Sequence, residues 1–318
     1  MIRSGLSARR DKLEIRKRLV SRAAQKQRMR LAVDLCSLYG ISILFLHILI
    51  TLLTANAQDS YPGYYIVSIV NSAVATLLPA LLLCYMGNGI RYYVRPKGRK
   101  TKPLDSFLLV AFGFCGCLTI NMFSSFVDDF LPKMNRTVYL TIDNDFGSFM
   151  LVMISTAVLP ALCEEIGYRG YIYSSLAGYG HLTAVIFSSV IFGLMHADFG
   201  AVIFAFLCGL LFGCIRKTSG IFMLTIIVHF LNNAFSTVST FIRMSFGKEF
   251  FSLFYSISNN AAYVIMILLF LILRHRKVSI FRFAKPPCSL TKKDKLAAVL
   301  CSPVFIMFVG LAVLFKFM

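Results

Sequence analysis

The chain has 318 residues, of which 58% are hydrophobic and 15% are charged, and its mean hydropathy is +0.74. A soluble globular protein carries about a quarter charged residues, so this composition predicts a polytopic membrane protein. The net charge of +19 would suit a nucleic-acid-binding protein, but the basic residues cluster at the ends of apolar segments. We therefore expect a lipid bilayer around the chain and no nucleic-acid partner.

The cysteines indicate neither a disulfide framework nor a zinc site. There are nine, they form no C-x-x-C pair, and most lie in apolar runs. This usage is typical of small buried residues.

The chain begins with a basic segment and continues as nine apolar ones. Residues 1–30 contain eleven Lys and Arg against two acidic residues, which predicts a cytoplasmic tail lying against anionic lipid. Of the apolar segments, the fifth and sixth barely reach the length needed to span a bilayer. The segments are about 35–53, 64–86, 107–127, from 149 through the Glu164–Glu165 pair, 183–195, 201–214, 221–240, 255–273 and 296–315.

The charged loops predict the orientation of these helices. With the amino terminus in the cytoplasm, the basic loops at 91–102, 216–217 and 274–295 all fall on the cytoplasmic side, and the acidic loop at 128–146 falls outside. The sequence thus predicts an all-α transmembrane bundle of eight or nine helices, in an integral membrane protein with a cytoplasmic amino terminus.

The fourth segment contains two adjacent carboxylates in an apolar setting, where an ionised group costs several kcal/mol. Glu165 and Arg169 are four residues apart, about 40° round a helix, so they can pair. Glu164 is displaced by about 100° from Glu165 and points elsewhere. We interpret Glu165 with Arg169 as a structural ion pair, and Glu164 as a carboxylate aimed into a cavity.

Two later segments each bring a histidine to a similar place. Phe192 and His196 share one helical face, as do His229 and Asn233. Either histidine alone would more often be a satisfied polar residue than a catalyst. Glu, His and His/Asn on three successive helices together favour chemistry within the membrane.

The residues leave a metal-dependent reaction open. Glu164, His196 and His229 have the ligand types of a catalytic zinc site, although no H-E-x-x-H motif is present. A G-x-S-x-G elbow is also missing, so serine hydrolysis has no nucleophile in a suitable context.

The ordered motifs Glu164-Glu165-x-x-x-Arg169, Phe192-x-x-x-His196 and His229-x-x-x-Asn233 resemble those of the CPBP family. These are intramembrane glutamate proteases that include CAAX prenyl endopeptidases and bacteriocin-processing or immunity proteins. The resemblance covers about 149–240. Tyr168 stands where bacterial members often have phenylalanine.

The resemblance implies a helical bundle with a conical cavity open to the cytoplasm, and a reaction that needs no metal or cofactor. Glu164 and His196 would activate a water molecule. The oxyanion would be stabilised by His229 and Asn233, with Glu165, Arg169 and Phe192 in supporting places. The motif region is more similar to the bacterial members than to the eukaryotic ones, so we expect the protein to lie in a bacterial plasma membrane. We expect its substrate to be a membrane-associated peptide or protein.

This resemblance divides the chain into four parts and leaves three functional hypotheses. The parts are the tail at 1–30, three helices at 31–148, the catalytic core at 149–240 and carboxy-terminal helices at 241–318. An intramembrane peptidase is the first hypothesis. The second is a non-catalytic scaffold or immunity protein that keeps the cavity, and the third is a metalloprotease that uses the same residues.

Overall fold

The computed structural model describes most of the chain, and every regular element in the described part is helical. This confirms the all-α bundle. The described backbone comprises residues 2–94, 101–128, 145–196, 198–286 and 288–316, with side chains described from residue 21 except 59 and 125–128. The predicted acidic loop at 128–146 and part of the basic loop at 91–102 lie outside the described residues.

The described residues form thirteen α-helices. They are α1 (Ile2–Leu53), α2 (Tyr61–Val70), α3 (Leu78–Met86), α4 (Ile90–Val94), α5 (Pro103–Asp128), α6 (Phe146–Met153), α7 (Leu159–Glu165), α8 (Tyr173–Leu176), α9 (His181–Leu194), α10 (Phe199–Ser219), α11 (Met223–His275), α12 (Lys292–Leu300) and α13 (Pro303–Leu314).

Six helical segments of the described chain are long and apolar enough to cross a membrane. A seventh is possible if α12 and α13, which meet at a bend of 59°, form one broken span. The helix α9 is apolar but has only 14 residues, so it is too short to be counted as a membrane-spanning helix. The six segments are Ser21–Leu53, Tyr61–Met86, Pro103–Ser124, Phe146–Tyr179, Phe199–Ser219 and Met223–His275.

The long helix α11 contains two of the predicted segments. Gly247 within it has φ 82° and ψ 174°, a conformation that breaks the helix and suits only glycine. The chain folds back there, because Phe235 before the break packs on Phe254 and Tyr255 after it. The predicted seventh and eighth segments are therefore two halves of one interrupted helix.

The segment Phe146–Tyr179, which contains the glutamate pair, is not a regular α-helix. Asp145 caps its start by accepting hydrogen bonds from the Ser148 hydroxyl and from two backbone amides, and these bonds lower the pKa of Asp145. Two π-helical stretches, Ile154–Val158 and Ile166–Ile172, interrupt the segment on either side of the pair. Such wide turns are frequent at functional sites, since they re-aim side chains without ending a helix.

A tyrosine of helix α1 packs against a glycine of this segment. The Tyr39 hydroxyl donates to the Thr76 carbonyl at 3.1 Å, and its ring packs edge-on against Tyr168 and Tyr171. Gly167 leaves the space that this ring occupies, because a Cβ there would lie 1.9 Å from the Tyr39 hydroxyl oxygen. The backbone next to the glutamate pair is thereby fixed against the first helix.

We expect Gly167→Ala to destabilise the fold by about 1–3 kcal/mol, because the added methyl group must push the Tyr39 ring out of a packed site. Gly178→Ala is the matched control, since a Cβ at Gly178 meets no atom within 4 Å. Thermal unfolding of the two variants in detergent measures the difference. Equal unfolding temperatures would show that the Tyr39–Gly167 contact has no such role.

Candidate active site

The buried centre of the site is Glu165, which is fully inaccessible to solvent. Its Oε1 accepts a hydrogen bond from Nη1 of Arg169 at 2.7 Å, one helical turn away, as the spacing predicted. The same oxygen lies 3.1 Å from Nδ1 of His229. One carboxylate oxygen thus joins the fourth predicted segment to the start of α11.

Two aromatic rings enclose Arg169. The guanidinium carbon lies 4.4 Å from the ring centre of Phe192 and 5.0 Å from that of Phe212. Such contacts stabilise a desolvated cation that water cannot reach. Phe192, predicted as a supporting residue, also packs edge-on against His196 and His229.

Glu164 points in a different direction from Glu165 and lines a cavity, as the helical geometry predicted. Its side chain is 27% exposed, against 0% for Glu165. Nε2 of His229 lies 3.8 Å from Oε2 of Glu164. His229 therefore stands between the two carboxylates, with one ring nitrogen towards each.

His196 lines the same cavity as Glu164. Its Nδ1 lies 2.9 Å from the Phe192 carbonyl oxygen, which can only accept, so Nδ1 holds a proton. In the neutral ring this leaves Nε2 as the atom able to accept a proton.

The turn after α9, where His196 lies, is held by a lysine from the far end of the chain. Nζ of Lys316 donates to the carbonyl oxygens of Leu194 and His196, and Lys316 is almost completely buried. The sequence analysis did not find this residue, because a lone lysine after an apolar run is typical of any helix end.

Asn233 lies apart from this cavity. Its Nδ2 donates to the Thr156 carbonyl at 3.0 Å, and its Oδ1 accepts from Asn232 at 3.0 Å. Pro160 lacks the amide proton that an α-helix would direct at the Thr156 carbonyl, and Asn233 supplies the missing bond. Asn233 lines a second cavity of about 350 Å³, whose wall comes mostly from α11.

The cavity that contains Glu164 has a volume of about 480 Å³. Helices α1 and α2, both outside the motif region, supply much of its wall, and Phe315 closes one side. It extends from Glu164 through His47 and Thr51 to Gln58 in the turn that joins α1 to α2. The expected cavity is therefore present.

The cavity reaches towards the end of the bundle that is opposite the basic loops. The basic loops lie at one end of the bundle, where Arg22 pairs with Asp294 and Arg276 with Asp105. The turn that contains Gln58 lies at the opposite end, because α1 crosses the bundle between them.

No three His, Cys, Asp or Glu side chains lie close enough to hold a metal ion in the part of the chain that the structure describes. The zinc site considered from ligand types therefore has no cluster to support it.

The comparison with protein families identifies the motif region. Residues 146–235 match the family model of type II CAAX prenyl endopeptidase Rce1-like proteins. We refer to this matched segment below as the Rce1-like domain. It covers less than a third of the chain and includes both glutamates, both histidines, Arg169, Phe192, Phe212 and Asn233. Neither curated proteins nor solved structures gave a match.

The Rce1-like domain begins with α6, next to the Asp145 cap, and ends just after Asn233 in α11. It supplies both glutamates and both histidines. The rest of the chain supplies most of the cavity wall and the lysine that holds the His196 turn. The domain is therefore completed by helices that its family model does not include.

We expect Glu165→Gln to destabilise the protein by about 3–5 kcal/mol, because it leaves the buried Arg169 cation without a compensating charge. Glu164→Gln, the same change one residue earlier at a partly exposed side chain, should stay within about 0.5 kcal/mol of the wild type. Thermal unfolding in detergent measures both. A stable Glu165→Gln protein would contradict the structural assignment of this residue.

Proposed function

We propose that the chain is an intramembrane peptidase that hydrolyses a peptide bond of a membrane-associated protein or peptide, with Glu164 as the general base. The observation that supports this most strongly is the division of the glutamate pair. Glu165 is neutralised by Arg169 and His229 in the interior, whereas Glu164 is partly exposed in a cavity next to His196. A carboxylate within a membrane-spanning segment that has no partner in its own helix is typical of a functional group.

In the proposed reaction, a water molecule between Glu164 and His196 attacks the carbonyl carbon of the substrate. Glu164 takes the proton that the water loses as the new C–O bond forms. The tetrahedral intermediate then collapses, the C–N bond breaks, and the proton on Glu164 passes to the leaving amine. His196 orients the water through Nε2, which its bond to Phe192 leaves free to accept.

His229 is the proposed donor to the oxyanion. Its Nδ1 donates to the Glu165 carboxylate, so Nε2 holds a proton only when the ring is cationic. Carboxylate oxygens lie 3.1 Å from its Nδ1 and 3.8 Å from its Nε2. A fixed donor in a site with little water is worth about 3–4 kcal/mol where negative charge develops.

The role of Asn233 is a separate proposal. The resemblance assigns it to the oxyanion hole, but its amide nitrogen and oxygen are both bonded, to Thr156 and Asn232. We assign it to positioning, because its bond to Thr156 fixes α11, and with it His229, against the helix that contains Glu164.

We expect Glu164→Gln to lower the rate of cleavage about 10²- to 10⁴-fold while the protein stays folded, because the amide cannot take a proton from water. Glu249→Gln, at an exposed position far from the cavity, is the control and should retain activity. Quantitative mass spectrometry of new peptide termini in membranes that express each form gives the measurement.

The same variant separates the hypotheses. Retained cleavage by Glu164→Gln would overturn the catalytic assignment. Rescue of a deletion phenotype by this variant would favour the scaffold or immunity protein. Loss of cleavage on treatment with a chelator, restored by added zinc, would favour the metalloprotease.

We also expect Lys316→Met to lower the cleavage rate at least about tenfold, because it releases the carbonyls that fix the His196 turn and so displaces the catalytic ring. Lys295→Met is the matched control, since Nζ of Lys295 likewise donates to a helix-end carbonyl, that of Tyr179, at a distant place. Cleavage by the two variants is compared at a temperature at which thermal unfolding in detergent shows both to be folded. Equal activity of the two would show that Lys316 acts only on folding.

A further inference from the structure

A third cavity, of about 450 Å³, lies where three of the long apolar helices begin or end. Its lining comes from residues next to the start of α5 at Pro103, the end of α10 at Ser219 and the end of α11 at His275. Because the ends of membrane-spanning helices lie in the headgroup region of a bilayer, this cavity lies at the depth of lipid phosphates. It shares no lining residue with the cavity that contains Glu164.

Hydrogen bonds between the helix ends hold the wall of this third cavity in place. The backbone amide of Thr101 donates to the Ser219 carbonyl at 3.4 Å, which joins the chain before α5 to the end of α10. The Thr218 hydroxyl donates to the Ile280 carbonyl at 3.3 Å, which joins α10 to the chain that follows α11. The cavity is therefore formed by contacts within the protein, as most ligand sites are.

The cations that line the cavity outnumber its carboxylates. Arg276 is paired with Asp105, and the three protons of the Lys217 ammonium group are donated to backbone carbonyls of the chain after α11. Lys102 and Lys277 are exposed, and neither has an ion-pair partner in the part of the chain that the structure describes. Two lysine side chains are therefore left to bind an anion.

Lys277 occupies a backbone position that usually belongs to glycine. Helix α11 ends in a Schellman motif, in which the Lys277 amide donates to the Arg274 carbonyl and the Val278 amide to the Leu273 carbonyl. The φ of Lys277 is 63°, and it is the one non-glycine residue with a positive φ in the described part of the chain. Helix α10 ends beside it with Gly220 at φ 65°. A lysine at a strained position that suits glycine indicates that its side chain has a function.

We propose that this cavity binds the phosphate group of an anionic lipid headgroup, with Lys102 and Lys277 as the cationic contacts. Basic pockets between membrane helices at headgroup depth bind lipids of this kind. The start of α5 adds to the attraction, since the amino-terminal end of a helix favours negative charge. Ser279 lines the same cavity with a hydroxyl group that can donate a further hydrogen bond. This proposal does not depend on the proposed peptidase function.

Native mass spectrometry of the full chain in detergent, titrated with phosphatidylglycerol, tests the site. Phosphatidylcholine, which has no net charge, and inorganic phosphate are titrated in parallel. We expect phosphatidylglycerol to bind at least about tenfold more tightly than phosphatidylcholine, because two lysines contact its uncompensated phosphate. Tighter binding of inorganic phosphate than of phosphatidylglycerol would overturn the assignment to a lipid, and equal binding of the two lipids would overturn the site.

We expect Lys277→Gly to weaken the binding of phosphatidylglycerol about fivefold. The same variant should unfold in lipid-free detergent at a temperature no lower than that of the wild type, because glycine adopts this φ without strain. Lys285→Gly is the matched control, since it removes the same charge from an exposed position that does not line the cavity. It should bind the lipid as the wild type does.

Equal affinity of Lys277→Gly and Lys285→Gly for phosphatidylglycerol would overturn the proposal. A Lys277→Gly protein that unfolds at a lower temperature would show that the lysine acts on folding, which also contradicts it. Lys102→Met gives an independent arm on the other side of the cavity and should weaken lipid binding by a similar factor. Unchanged binding by Lys102→Met would contradict the proposed pair of contacts.

Discussion

The buried ion pair of Glu165 and Arg169 is the contact on which the rest of the site depends. Two buried charges are tolerable only if each has a partner that compensates for the lost water. Here one carboxylate oxygen of Glu165 contacts both the Arg169 guanidinium and the His229 imidazole, and two aromatic rings pack against the guanidinium. His229 is brought to the site by this pair. Because its Nδ1 is occupied by Glu165, its Nε2 is directed at Glu164.

The helix that contains the pair is adapted to this arrangement. Pro160 and the two π-helical stretches interrupt the regular backbone hydrogen bonds of this helix. Residues of other helices compensate: Asn233 donates a hydrogen bond to the Thr156 carbonyl, and the Tyr39 ring packs into the space beside Gly167. Irregular backbone at membrane depth is tolerated where it is buried in protein or lines a cavity. Here the irregularity turns Glu164 towards the cavity while Glu165 stays in the core.

The family match and the cavity concern different parts of the chain. The Rce1-like domain contains both glutamates and both histidines, whereas the cavity wall comes largely from α1 and α2, and the support of His196 comes from Lys316 after α13. Those outer helices resemble the family only in being apolar. The shape of the cavity therefore depends largely on helices outside the Rce1-like domain.

The sequence alone determined the all-α membrane bundle, the Glu165–Arg169 pair and the different direction of Glu164. Each of these follows from local rules: apolar segments of spanning length, and the 3.6-residue turn that puts residues four apart on one face. Only the tertiary structure decided that His229 bonds to Glu165, that Asn233 bonds to Thr156, and that the cavity runs to the end opposite the basic loops. These contacts join residues more than sixty positions apart or depend on the packing of several helices, which helical periodicity does not specify.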